Sequence, residues 1–228
     1  MKITVINYGL SNLLSVQRAF EHFGAEVEIT GAAADIAAAR ALVLPGVGAF
    51  RDGMAGLQKL GLVEPIREAA AAGRPLLGIC LGMQMLFDES DEFGIHAGLG
   101  LIPGRVEKIP AEAADGTPQR VPNIGWCPLY PAGLPGAGTA GYAAAPADFR
   151  GTSLAGLQVG EECYFVHSYE AKPAQPADRL ADTVYGGRRI CAAAQRGSVL
   201  GTQFHPEKSG PAGLSIVEAW LHEAESVR

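Results

Sequence analysis

Short strand-like segments alternate with helical patterns through the first 80 residues, and that alternation leaves the chain few ways to fold. Residues 2–7, 25–30, 41–44 and 75–79 read as strands, and those at 41–44 and 75–79 are apolar throughout. Between the first two, Leu13, Val16, Phe20 and Phe23 recur on one helical face, with Ser11 placed to cap the helix and Gly24 to stop it. An alanine-rich helix is expected near residues 33–39, and another through residues 66–72 ends at Gly73. Continuous apolar strands joined by helices bury both faces, which is the signature of a parallel sheet covered by helices.

The second half follows a different pattern. Strands are expected at residues 105–109, 163–169, 183–185, 189–193 and 199–204, with Gly186-Gly187 and Arg196-Gly197 as hairpin turns. A last helix over residues 214–225 places Leu214, Val217 and Leu221 on one stripe. The expected fold class is therefore α/β: a mixed, largely parallel central sheet covered by helices, with an antiparallel C-terminal portion. At 228 residues the chain suits a single domain, 1–228, and the Gly/Ala/Pro-rich stretch 131–157 reads as a mostly surface excursion.

Charge and cysteine usage exclude several classes. A net charge of −6 without a local Lys/Arg cluster lacks the footprint of a nucleic-acid binder. No apolar run approaches the ~20 residues that span a bilayer, and the opening Met1-Lys2-Ile3-Thr4-Val5 reads as a strand, so a cytoplasmic protein is expected. Cys80, Cys127, Cys163 and Cys191 are widely spaced, with neither CxxC nor zinc-knuckle spacing. Reduced thiols are expected, with neither a metal nor a cofactor.

One of those thiols stands in a chemically pointed setting. Gly78-Ile79-Cys80-Leu81-Gly82 lies between an apolar strand and the helical pattern Met83-Gln84-Met85-Leu86-Phe87. This is a G-x-C-x-G nucleophile elbow, in which flanking glycines allow a sharp turn that presents the central side chain. Unpaired N–H groups at a helix start favour the thiolate there. A buried, inert cysteine is the plainer alternative, and the paired glycines weigh against it.

A thiol nucleophile requires a base, and there are five histidines. His22 and His222 sit among polar helical residues, and His96 lies in a glycine-rich loop. In His205-Pro206-Glu207 the proline biases His205 to extended geometry, so His205 and Glu207 project to the same side with Cα atoms roughly 6 to 7 Å apart. The carboxylate can then orient one imidazole nitrogen and leave the other for the thiol. His167 is the competing base, but strand alternation sends its neighbour Glu170 to the opposite face, so a supporting role is expected. The strand end Pro45-Gly46-Val47-Gly48 offers unobstructed backbone N–H groups suited to an oxyanion, and no Gly-Lys-Ser/Thr follows to make it a phosphate loop.

In this order these elements resemble the class I glutamine amidotransferase family, the triad type with Cys, His and Glu. The resemblance spans nearly the whole chain, through Asn7-Tyr8-Gly9, Ser11-Asn12-Leu13, Pro45 to Phe50, Gly78 to Gln84, Asn123-Ile124-Gly125-Trp126, Tyr164 to Tyr169 and Phe204 to Ser209. The P-G-V-G-A-F and H-P-E-K-S stretches narrow it to the branch that serves histidine biosynthesis. The resemblance implies Cys80 as nucleophile, His205 as base, Glu207 as its orienter, and the N–H groups of Leu81 and Val47 as the oxyanion hole. It implies Gly48, Gln84, Ser168 and Tyr169 as contacts for the substrate, glutamine. It further implies a heterodimer with a (β/α)₈-barrel synthase subunit that consumes the ammonia, with Asn12, Trp126 and Lys208 near the interface. The chain departs from the family in carrying Asn123 where histidine is usual. A glutaminase serving another synthase, such as one making anthranilate or the pyridoxal phosphate ring, would keep the same triad; a thiol hydrolase on a similar scaffold would lack a reason for Gln84.

Overall fold

In the computed structural model, residues 1–133 and 148–227 are described. The first half runs β1 (Lys2–Ile6), α1 (Leu13–Glu21), β2 (Glu26–Thr30), α2 (Ala33–Ala38), β3 (Leu42–Gly46), α3 (Phe50–Lys59), α4 (Val63–Ala71), β4 (Leu76–Cys80) and α5 (Leu81–Met85). The second continues with β5 (Phe87–Ser90), β6 (His96–Ala97), β7 (Ile102–Lys108), β8 (Asn123–Pro128), β9 (Tyr130–Pro131), β10 (Glu162–His167) and β11 (Tyr169–Pro173). It closes with β12 (Arg179–Tyr185), β13 (Arg188–Arg196), β14 (Val199–Thr202) and α6 (Gly210–Ser226).

The central sheet has the strand order β2-β1-β3-β4-β14-β13-β12-β9. Its first five strands are parallel and the remaining pairings antiparallel, as the sequence pattern predicts. Alternate side chains on the parallel strands enter opposite cores. Leu42, Leu44 and Leu76 pack with residues of α2, α3, α4 and α5, whereas Val43, Leu77 and Ile79 pack with α1 and α6. On that second face Phe20 meets Trp220 edge to face, centroids 5.7 Å apart.

The position of β14 decides where chemistry can occur. It is reached by a tight hairpin from β13 but pairs parallel to β4, with Thr202 opposite Ile79, while Gly46 of β3 pairs with Cys80. Three neighbouring parallel strands thus end at one sheet edge, the place where open α/β sheets bind ligands. The chain following each of them carries, in turn, the Gly46–Gly48 turn, the Cys80 elbow and His205.

Several local expectations are corrected. Asn12, not Ser11, occupies the N-cap of α1, and its side-chain amide bonds Ser15 Oγ at 3.0 Å. Helix α3 was hidden by Gly53 and Gly56, which lower helix propensity. A Cβ at Gly53 would lie 2.8 Å from Met85 Sδ, and one at Gly56 would lie 3.0 Å from Tyr8, so tertiary packing explains both. The strand expected at 163–169 is broken at Ser168: β10 pairs with β8, and β11 joins a four-stranded sheet, β11-β7-β5-β6. Of the 131–157 stretch, residues 134–147 lie outside the described residues. Phe149, Leu154 and Leu157 are buried with Phe165, Phe204 and Ile216, so this part of the segment contributes to a core rather than merely crossing the surface.

The elbow depends on close packing. A Cβ on Gly82 would lie 1.7 Å from the Leu44 carbonyl oxygen, a contact that only backbone movement could relieve. Gly82→Ala is therefore expected to destabilise the protein by about 3 kcal/mol or more, read from the shift in urea unfolding midpoint. A change below about 0.5 kcal/mol, the range of an ordinary surface substitution, would contradict this packing.

Candidate active site

Cys80 closes β4 with φ 55° and ψ −110°, a left-handed conformation costly for a residue with a side chain. Helix α5 begins at the next residue, so the sulfur is presented at the junction between strand and helix. Its bonds are long, as sulfur contacts are: Sγ lies 3.8 Å from Val166 O and 3.8 Å from Gln203 Nε2.

His205 precedes the 206–208 turn and Glu207 lies within it, and His205 Nδ1 lies 2.8 Å from Glu207 Oε1. Both side chains are 2% exposed. His205 Nε2 is buried and, among the described residues, has no acceptor in hydrogen-bond geometry, yet the Cys80 sulfur still acts on it. Burial opposes charge on this imidazole, but Cys80 and Glu207 outweigh it and push the pKa up to about 9. His205 therefore keeps a proton beside the sulfur through neutral pH.

His167 has the opposite character. Its Nδ1 lies 2.9 Å from Tyr169 O, which can only accept, so Nδ1 carries the proton. Nε2 is then bare and accepts from Asn123 Nδ2 at 3.1 Å, while the Cys127 thiol donates to Asn123 Oδ1 at 3.7 Å. Burial first, then the charge of His205, lowers the His167 pKa to about 4 against the upward pull of Tyr169 O. With both nitrogens engaged, this imidazole is a structural brace. Asn123, unusual for the resembled family, supplies the donor that the bare nitrogen requires.

A cavity of about 350 Å³ opens over Cys80, lined by Val47, Gly48, Leu81, Gln84, Glu92, Val166, Ser168, Tyr169 and His205. Gln84 is buried, with Nε2 donating to Tyr169 O at 3.1 Å and to Gln203 Oε1 at 3.0 Å. The carbonyls of Ser168 and Tyr169 are internally committed, Ser168 O accepting from Ile109 N at 2.9 Å. Gly48 adopts φ 98°, and a Cβ on Gly46 would lie 2.2 Å from the Tyr8 hydroxyl. The Val47 N–H donates to Leu10 O at 3.0 Å, which turns it away from any oxyanion at Cys80. The three residues expected near a partner do not line this cavity: Trp126 is half exposed on β8 against Tyr164, Lys208 is exposed, and Asn12 stands at the N-cap position of α1.

Two residues of the site escaped sequence reading. Glu92 belongs to the acidic run Asp88-Glu89-Ser90-Asp91-Glu92, which reads as solvated surface, yet it lines the cavity and accepts from Phe50 N at 2.6 Å. Gln203 stands two residues before His205, so extended alternation could have placed it on the same side.

The two histidines make opposite contributions to stability. A folded pKa below the ordinary 6.5 means that the unfolded chain binds the proton more readily, so the His167 contribution is present above 6.5 and lost as pH falls through about 4. His205, raised to about 9, contributes below 6.5 and loses that contribution as pH rises through 9. His167→Gln should flatten the loss of urea midpoint between pH 6.5 and 4.5; an unchanged slope would assign that loss to other groups.

Comparison with known proteins bears on the fold and the family. The family model described as glutamine amidotransferase class-I matches residues 4–224. The imidazole glycerol phosphate synthase subunit HisH 1 of Legionella pneumophila (strain Lens) is 45% identical over 219 residues, covering 96% of this chain and 98% of its own. The subunit HisH of Syntrophotalea carbinolica is 46% identical over 220 residues, covering 95% and 97%. Among solved structures, a glutamine amidotransferase superposes with TM-score 0.69 at 18% identity, covering 98% of each chain. The structure of PurLQS from Thermotoga maritima gives 0.67 at 18%, covering 97% and 98%; at such identity both speak for the fold alone. With the elbow, the sheet order and a match along nearly its whole length, the chain belongs to the class I glutamine amidotransferase family.

Proposed function

We propose that this chain is the glutaminase subunit of an imidazole glycerol phosphate synthase, serving histidine biosynthesis by hydrolysing glutamine and supplying the ammonia to a (β/α)₈-barrel synthase subunit. The observation that carries this reading is the convergence of Cys80 and His205, the latter held by Glu207, on a cavity that also presents Gln84 and Glu92. The high identity to the two HisH subunits directs it to this synthase rather than to another ammonia user.

The chemistry follows from the geometry. The thiol proton rests on His205, whose raised pKa holds it there, and the sulfur attacks the carboxamide carbon of glutamine. The resulting oxyanion takes an N–H donor from Leu81 at the start of α5, and a second from Val47 once that peptide turns. Collapse breaks the C–N bond while His205 hands its proton to the departing nitrogen, releasing ammonia. Water then adds to the thioester and gives a proton back to His205, the C–S bond breaks, glutamate leaves, and the Cys80–His205 pair is restored. Glu207 holds the imidazole in register throughout. Glu92 and the free Oε1 of Gln84 suit the substrate's α-ammonium group, and Gly48 with the Ser168–Tyr169 backbone walls its carboxylate end.

The Val47–Leu10 bond bears on regulation. With that N–H committed, the oxyanion hole is short of one donor, and the turn must be reset before fast turnover. The exposed Leu14, Ile124 and Trp126, with Asn12 and Lys208, are the candidates for contact with the partner that does so. Helix α1 packs against the 206–208 turn, so contact there reaches the elements that carry Glu207.

Cys80→Ala in the complex should remove glutamine-dependent product formation while ammonium salts still support it; loss of both would contradict a role confined to ammonia supply. The chain without its partner should hydrolyse glutamine at least about a hundredfold more slowly than in the complex, the usual effect of one missing oxyanion donor. Equal rates, measured as glutamate released, would mean that the turn needs no resetting.

A further inference from the structure

Gln203 is fully buried one residue beyond β14, its backbone N–H tied to Ala192 O at 2.8 Å. Its side chain lies between two groups of the cavity, and the polarity of that placement follows from hydrogen-bond inventory. Tyr169 O can only accept, so the Gln84 amide must turn its nitrogen toward it, 3.1 Å away. The second hydrogen on that nitrogen goes to Gln203, which must answer with Oε1, at 3.0 Å. Gln203 Nε2 is then left to face the Cys80 sulfur at 3.8 Å, as a donor. One carbonyl oxygen therefore sets the direction of every bond along Tyr169, Gln84, Gln203 and Cys80.

This arrangement has two consequences. A donor aimed at sulfur stabilises the thiolate over the thiol, because a hydrogen bond to the charged form favours that form. With both Nε2 hydrogens of Gln84 engaged, its unoccupied acceptor is Oε1, the end that suits an ammonium group. We propose that Gln203 is a positioning residue of the glutaminase site, holding the Cys80 nucleophile and the substrate-facing Gln84 amide in one hydrogen-bonded chain. The inference rests on the glutaminase reading for its substrate, but the thiol side of it does not.

Two variants separate the roles. Gln203→Met keeps the length and removes both donor and acceptor. Gln203→Glu keeps an acceptor for Gln84 and removes the amide donor to sulfur. In the complex with the synthase subunit, Gln203→Met should raise the KM for glutamine about tenfold and lower kcat, the effect of losing about 1.4 kcal/mol of hydrogen bonding. Gln203→Glu should lower kcat with KM changed less than about threefold. Ammonium-dependent synthesis should persist in both and reports an intact complex.

The second readout is the rate of Cys80 alkylation by iodoacetamide against pH in the full chain, with Cys80→Ala as background. Its midpoint should move up by about 1 pH unit in Gln203→Met, the equivalent of one hydrogen bond to the thiolate, and by at least as much in Gln203→Glu, where a carboxyl group faces the sulfur. An unchanged alkylation profile together with unchanged KM would overturn the proposal. Should Gln203→Met fail to fold, the near-isosteric Gln203→Glu decides by kcat and the alkylation midpoint, and no change in either would overturn the proposal. A wild-type complex that releases no glutamate would sink the glutaminase reading while leaving the alkylation comparison to judge Gln203.

Discussion

The structure turns on one strained residue. Cys80 holds φ 55° where a side chain is disfavoured, at a cost on the order of 1–3 kcal/mol, and its surroundings leave it no alternative. Gly82 must pass within contact of the Leu44 carbonyl, Gly78 packs against Gly82, and Gly46 leaves room for the Tyr8 hydroxyl, so none tolerates a Cβ. The strain is the means by which a sulfur leaves the sheet and faces a cavity. The chain spends glycine at these positions where other strand positions carry Leu, Val and Ile.

A second constraint is the directionality of hydrogen bonds. The Tyr169 carbonyl receives both the Gln84 amide and His167 Nδ1, and as an acceptor it determines the orientation of each. From His167 the order passes to Asn123 and the Cys127 thiol; from Gln84 it passes to Gln203. The break of the expected 163–169 strand at Ser168 makes this possible. It lets β10 and β11 join different sheets while the carbonyl at the corner turns inward. The two buried histidines consequently diverge, one braced and neutral, the other held cationic by Cys80 and Glu207.

Much of this was legible in the residues. Strand order aside, β1 to β4 and the β12–β13–β14 hairpins follow from apolar runs and glycine punctuation. The G-x-C-x-G elbow and the two-residue spacing of His205 and Glu207 are local patterns with local causes. Helix α3 was not legible, because Gly53 and Gly56 look unfavourable until Met85 and Tyr8 are seen against them. Glu92 was hidden in an acidic run, and residues 148–157 concealed the core contacts of Phe149, Leu154 and Leu157 behind a loop-like composition.

The division between the two levels has a physical basis. The sequence by itself determined which segments are strands or helices, which cysteine sits at a turn, and which histidine has a carboxylate within reach, because each depends on residues a few positions apart. Only the tertiary structure decided that β14 lies parallel beside β4, bringing His205 to a sulfur 125 positions away, and that Gln203 bridges Cys80 to Gln84. It alone showed the Val47 N–H bound to Leu10 O. A backbone N–H can face either side of its peptide plane at little cost to the side chains, so no pattern of residues records which way it points.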